Sequence, residues 1–108
     1  MAKVYRVVVR GQFADLDDDV RTALLAEAAE HDLFRSAFTP DGTFTYDDRL
    51  ISFNLRYEVR LADDHEHADP AAAVATGCVE RAASWLTAVG IGHKHLRATA
   101  SDMADAWR

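Results

Sequence analysis

Residues 51–61, "ISFNLRYEVRL", admit few interpretations. Ile51, Phe53, Leu55, Tyr57, Val59 and Leu61 alternate with Ser52, Asn54, Arg56, Glu58 and Arg60. A period of two over this length puts the apolar side chains on one side of an extended chain and the polar ones on the other, the pattern of a half-buried strand. A helix over the same residues would scatter the apolar set around its surface. The segment therefore predicts a sheet with one packed face and one polar face. The rest of the chain must supply its neighbours and its cover.

Residues 3–10, "KVYRVVVR", are rich in β-branched residues and predict another strand, with Tyr5, Val7 and Val9 on one face and Val4, Arg6, Val8 and Arg10 on the other. The following "DLDDDVRTALLAEAAEHDLF" changes to helical spacing, predicting a helix near 17–31. Leu16, Val20, Leu24 and Ala28 form its stripe, with Ala23 beside it. Asp17 suits the cap, and Asp18 and Asp19 suit the positive end of the helix dipole, so the acidic run reads as a helix start rather than a metal site. Thr39-Pro40-Asp41-Gly42 is a turn signal, with short strands expected at 36–39 and 43–47.

Beyond the alternating segment, "ADDHEHADP" reads as a polar loop. Asp69 and Pro70 then open a helix over 70–89 that turns Val74, Cys78, Ala82, Trp85, Leu86 and Val89 inward and stops at Gly90. "HKHLRATA" alternates again and predicts a last strand. "SDMADAWR" follows as a short tail with Ser101 as a plausible cap.

The order is βαββαβ with a small extra hairpin strand. It predicts one α+β domain over residues 1–108, a ferredoxin-like antiparallel sheet with two helices on one face. In that arrangement the last strand lies beside the first, and the first beside the third. The face left uncovered suggests a homodimer closed sheet against sheet, as a dimeric α+β barrel.

Composition removes several classes of function. The chain has 108 residues and a formal net charge of −6, which opposes binding to a nucleic-acid backbone or to an anionic membrane. The N-terminal "MAKVYRVVVR" lacks the apolar core of a signal peptide, and no run has the ~18 apolar residues of a spanning helix. A single cysteine forms no internal disulfide and suits a reducing cytoplasm.

Function is expected on the uncovered face. With Leu96 and Ala98 turned toward the helices, strand parity sends His93, His95, Arg97 and Thr99 the other way, onto the face of Arg6, Asn54 and Arg56. His93 and His95 are the candidate catalytic bases. Arg6, Asn54, Arg56 and Arg97 are the candidate ligand-binding residues for a carboxylate, phenolate or enolate. The same side chains also suit a solvated face held by cross-strand ion pairs.

A metal centre is disfavoured, because His93 and His95 need further ligands and Glu58, His65 and His67 stand at no diagnostic spacing. RNA binding on this face would need aromatics there, but Phe53 and Tyr57 belong to the packed side. The stretch "VVVRGQF" is similar to the first strand and phosphate loop of acylphosphatases. It leads into Asp15, Asp17, Asp18 and Asp19, whose charge opposes the anion such a loop must cradle. No cofactor is implied. The expected function is binding of a small molecule, as a cofactor-free isomerase, cyclase or oxygenase, with a non-catalytic ligand-binding or protein-interaction module as the alternative.

The stretches "YRVVVRGQF", "LLAEAAEHDLFRSAFTPDGTFTYD", "FNLRYEV" and "HLRATASDM" together span most of the chain. On them the protein resembles an uncharacterised family of small actinobacterial proteins that constitutes a domain of unknown function. The resemblance implies a bacterial cytoplasmic protein, in a setting compatible with secondary metabolism. It carries no catalytic residues over.

Overall fold

The computed structural model describes residues 3–32, 37–61 and 69–103. In chain order these form β1 (Lys3–Phe13), α1 (Asp18–Glu27) with a 3-10 turn after it (Ala28–His31), β2 (Thr43–Tyr46), β3 (Ser52–Leu61), α2 (Pro70–Ala88) and β4 (His93–Asp102). The strands make one sheet in the order β2-β3-β1-β4, antiparallel at every junction. The protein is thus α+β, a four-stranded antiparallel sheet with two helices.

Alternation builds the core. β1 buries Tyr5, Val7, Val9 and Phe13, while β3 buries Phe53, Leu55 and Tyr57 on the same face. β2 adds Phe44 and Tyr46. α2 lies over β1, β3 and β4 and buries Val74, Cys78, Ala82 and Leu86. A Cβ on Gly11 would meet Leu96 Cδ2 at 2.6 Å and Phe53 Cζ at 2.7 Å, so the space above this glycine is where those two side chains meet.

Both helices begin where the sequence places them. Asp17 accepts from the Val20 N–H at 2.8 Å, and Asp69 accepts from the Ala72 N–H at 3.1 Å, each satisfying a donor that the first helical turn leaves free. Gly90 closes α2 with φ 79°, the left-handed conformation glycine adopts without a steric penalty.

Several expectations are corrected. Trp85 and Val89 are 41% and 49% exposed, not packed inward. They lie on the flank of α2 that faces α1 across a cleft, and α1 does not close over them. The expected stripe along α1 does pack on the core, with Leu24 buried and Leu16, Val20 and Ala28 partly buried, while Ala23 beside it is exposed. No strand covers 37–39: Thr39 makes a single bridge to Tyr57, because its carbonyl accepts from both Glu58 and the turn residue Gly42. Ser36 lies outside the described residues. Ile51 is exposed because Leu50, at φ 53°, turns into the core ahead of it. β1 continues past residue 10 to Phe13. Ser101 belongs to β4 rather than capping a tail, since it pairs with Arg6.

A polar bond ties α1 to the sheet. The Tyr46 hydroxyl donates to the Leu24 carbonyl at 2.7 Å in a buried setting. Burial first, then Glu27 and Glu30, pushes the Tyr46 phenol above its ordinary pKa. A raised folded-state pKa means that this contribution is complete at neutral pH and is lost only as the pH climbs through the folded value. Tyr46→Phe is expected to lower stability by about 1 kcal/mol in thermal melts at neutral pH. An unchanged melting temperature would show that the bond tethers nothing.

Candidate functional site

Cross-strand register arranges the polar face in rows. Arg97, Arg10, Asn54 and Thr45 lie in one row across β4, β1, β3 and β2. Thr99, Val8, Arg56 and Thr43 form the next, and Ser101, Arg6 and Glu58 the one after. Residues directly opposite point the same way, on strands ~4.8 Å apart.

A bulge rearranges the histidines. Arg10 pairs with Arg97 but Gln12 pairs with Lys94, so Gly11 alone faces His95 and Leu96. The extra residue is accommodated by His95 at φ 57°, in the left-handed region. Parity reverses across it. His93 therefore pairs with Phe13 on the helix side, where its Nδ1–H donates to the Ile91 carbonyl at 3.0 Å. His95 is exposed and lines a depression of about 240 Å³ with Arg10, Gln12, Ser52 and Arg97. The histidine pair expected on one face is divided between two.

The expected ligand-binding residues fall into two groups. Arg97 and Asn54 share a row with Arg10, close to His95. Arg6 lies about five residues further along, ~17 Å away at strand rise, and does not adjoin His95 as expected. Arg6 and Arg56 instead stand over the Phe38 ring, with guanidinium carbons 5.1 and 5.6 Å from its centroid. Phe38 thus brings an aromatic to this face, already covered by two cations.

Charge is segregated. In a chain of net charge −6, the strands of this face gather Arg6, Arg10, Arg56, Arg60, Lys94 and Arg97; among the described strand residues Glu58 is the one carboxylate there and pairs with Arg60 at 3.4 Å, while Asp47 and Asp48 stand at the β2 edge. Among the described residues neither Arg10 nor Arg97 has a carboxylate within ion-pair distance. The sequence exposed Arg10's face but not its partner. The signal was Gly11, since a glycine inside a strand often marks a bulge.

A second feature lies at the β2 edge. Thr45 is 3% exposed, and its Oγ1 has no hydrogen-bond partner among the described residues. It lines a cleft of about 590 Å³ with Asp32, Asp47 and Asp48. Asp47 is held below the usual carboxylate range by hydrogen bonds from Arg49.

Among the described residues no three His, Cys, Asp or Glu side chains cluster as metal ligands, and His65 and His67 lie outside that set. Burial pushes the Cys78 thiol above its ordinary pKa, as for a small apolar core residue. No described helix is long and apolar enough to cross a membrane. No curated protein and no solved structure matches the chain. A family model does, over residues 1–107, and the protein belongs to the family of unknown function DUF6204.

Proposed function

We propose that the protein binds a small organic anion on the polar sheet face, at Arg10, Arg97 and His95, as a ferredoxin-like domain. The observation that carries this reading is the direct pairing of Arg10 with Arg97 across β1 and β4. Like charges directly opposite destabilise a sheet, and here no described carboxylate forms an ion pair with either guanidinium. Two guanidinium groups one strand apart suit a carboxylate or enolate, which accepts charge-assisted hydrogen bonds from both. His95 stands beside them, fixed by its bulge.

The chemistry that fits is proton transfer. The His95 imidazole takes a proton from a carbon next to a carbonyl, and the C–H electron pair moves onto the carbonyl oxygen. The resulting enolate is held by Arg10 and Arg97, and the proton returns at another position. This is an isomerase or cyclase step that needs no cofactor. Two copies stacked through this face would bring their cations together, so the dimeric α+β barrel forms when bound anions lie between the sheets.

A non-catalytic module is the second reading, favoured by the small size of the depression around His95, about 240 Å³: an exposed basic face also suits an acidic protein surface.

Benzoate and its neutral analogue benzamide separate these possibilities. Benzoate is expected to shift the NMR signals of Arg10, Arg97 and His95 saturably and to raise the light-scattering mass toward twice that of the chain. Benzamide should do neither. Equal responses to both probes, or none to benzoate, would overturn the anion site. Binding without a change in mass would leave the site and remove the dimer.

A further inference from the structure

The helix side holds a cavity that the anion site does not use. It measures about 360 Å³ and lies where α1 and α2 stand apart. Its wall is apolar and aromatic: Leu24, Phe44, Tyr46, Trp85 and Ile91 contribute, and Ala23 stands at the α1 side. Phe44 meets the Trp85 ring at 5.1 Å and 64°, leaving the exposed indole at the lip. A volume of this order is within the range of small-ligand pockets, and aromatic walls favour a further ring by edge and offset contacts.

One polar group in it is oriented. His31 stacks on Tyr46 with ring centroids 5.2 Å apart, and its Nδ1 lies 2.9 Å from the Phe44 carbonyl. A carbonyl oxygen only accepts, so Nδ1 carries the hydrogen of that bond. In the neutral ring Nε2 is then a lone-pair acceptor. Glu27 Oε2 stands 4.0 Å from Nε2, too far for a hydrogen bond but near enough to make this corner negative. Both available groups accept and neither welcomes an anion.

We infer that this cavity is a second small-molecule site, which takes a neutral aromatic ring carrying a hydroxyl or N–H donor. The ring lies among Phe44, Tyr46 and Trp85, and its donor bonds His31 Nε2. The specificity is the reverse of that on the sheet face, where cations require an anion, so the two sites stand or fall separately.

The test uses full-length Trp107→Phe protein, which leaves Trp85 as its only indole. Binding of 2-naphthol is followed by Trp85 indole and His31 ring NMR signals, beside naphthalene and 2-naphthoate. The expected result is saturable binding of 2-naphthol, about fivefold weaker binding of naphthalene for loss of one hydrogen bond, and still weaker binding of 2-naphthoate. Ala23→Phe, at an exposed position on the cavity wall, should fill the space and abolish these shifts without lowering the melting temperature, and it adds no second indole. If the three probes bind equally, the donor specificity is wrong. If 2-naphthol gives no saturable shift, or still binds the filled and folded variant, the site is not there.

Discussion

Gly92→Ala is expected to destabilise the protein by about 3 kcal/mol, a drop of more than ~10 °C in melting temperature for a domain of this size. A Cβ at this position would fall on the Ala14 carbonyl oxygen, which is backbone and has no rotamer in which to escape. The same contact carries the bond from the Ala14 N–H to the Gly92 carbonyl at 2.9 Å, just beyond the Phe13–His93 pair. To admit one methyl group, the end of β1 and the start of β4 must part, and buried Phe13 and Ile91 loosen with them. Gly77→Ala supplies the contrast. A Cβ there meets nothing within 4 Å, and the residue is inside α2, so alanine should stabilise by about 0.5–1 kcal/mol. Urea unfolding of both variants measures the difference. Equal stability of the two would show that the approach at Gly92 is not tight.

The second large effect concerns Arg97→Glu. It is expected to weaken benzoate binding by roughly a hundredfold or more, since it removes a charge-assisted donor and puts a carboxylate in its place. The same change turns the Arg10–Arg97 row into an oppositely charged cross-strand pair, which should raise the stability of the ligand-free protein by about 0.2–1 kcal/mol. The opposite signs make the experiment decisive. A residue that served only the fold would lose binding through lost stability, whereas here binding falls as stability rises. The gain should shrink with added salt, because exposed charges are screened. Unchanged benzoate affinity in a folded Arg97→Glu protein would remove Arg97 from the site.

What was legible in the sequence follows from how local its physics is. The alternation in 51–61 reports only which side of a strand is wet, and β3 obeys it from Ser52 onward. Asp17, Asp69 and Gly90 mark helix ends through bonds and angles formed within a few residues, so these ends are found where expected. Two features were not legible because they depend on distant parts of the chain. Inward placement of Trp85 and Val89 assumed that α1 would close against α2, and no pattern within either helix reports the gap between them. The shared face of His93 and His95 assumed unbroken parity, but one extra residue opposite Gly11 reverses it. Arg10 gained importance only through that register. Phe38 is a similar case: its place under Arg6 and Arg56 follows from the turn at Thr39–Gly42 and not from any periodicity.

The bulge also bears on how this chain tolerates change. His95 occupies a backbone conformation that disfavours a β-carbon by roughly 1–2 kcal/mol and that glycine adopts freely. A screen rewarding only thermal resistance would therefore drive this position toward glycine, and with it discard the imidazole beside Arg10 and Arg97. Stability and chemistry pull on residue 95 in opposite directions. Lineages or libraries that keep histidine there, against that gradient, are the ones in which the sheet face is under selection for what it binds.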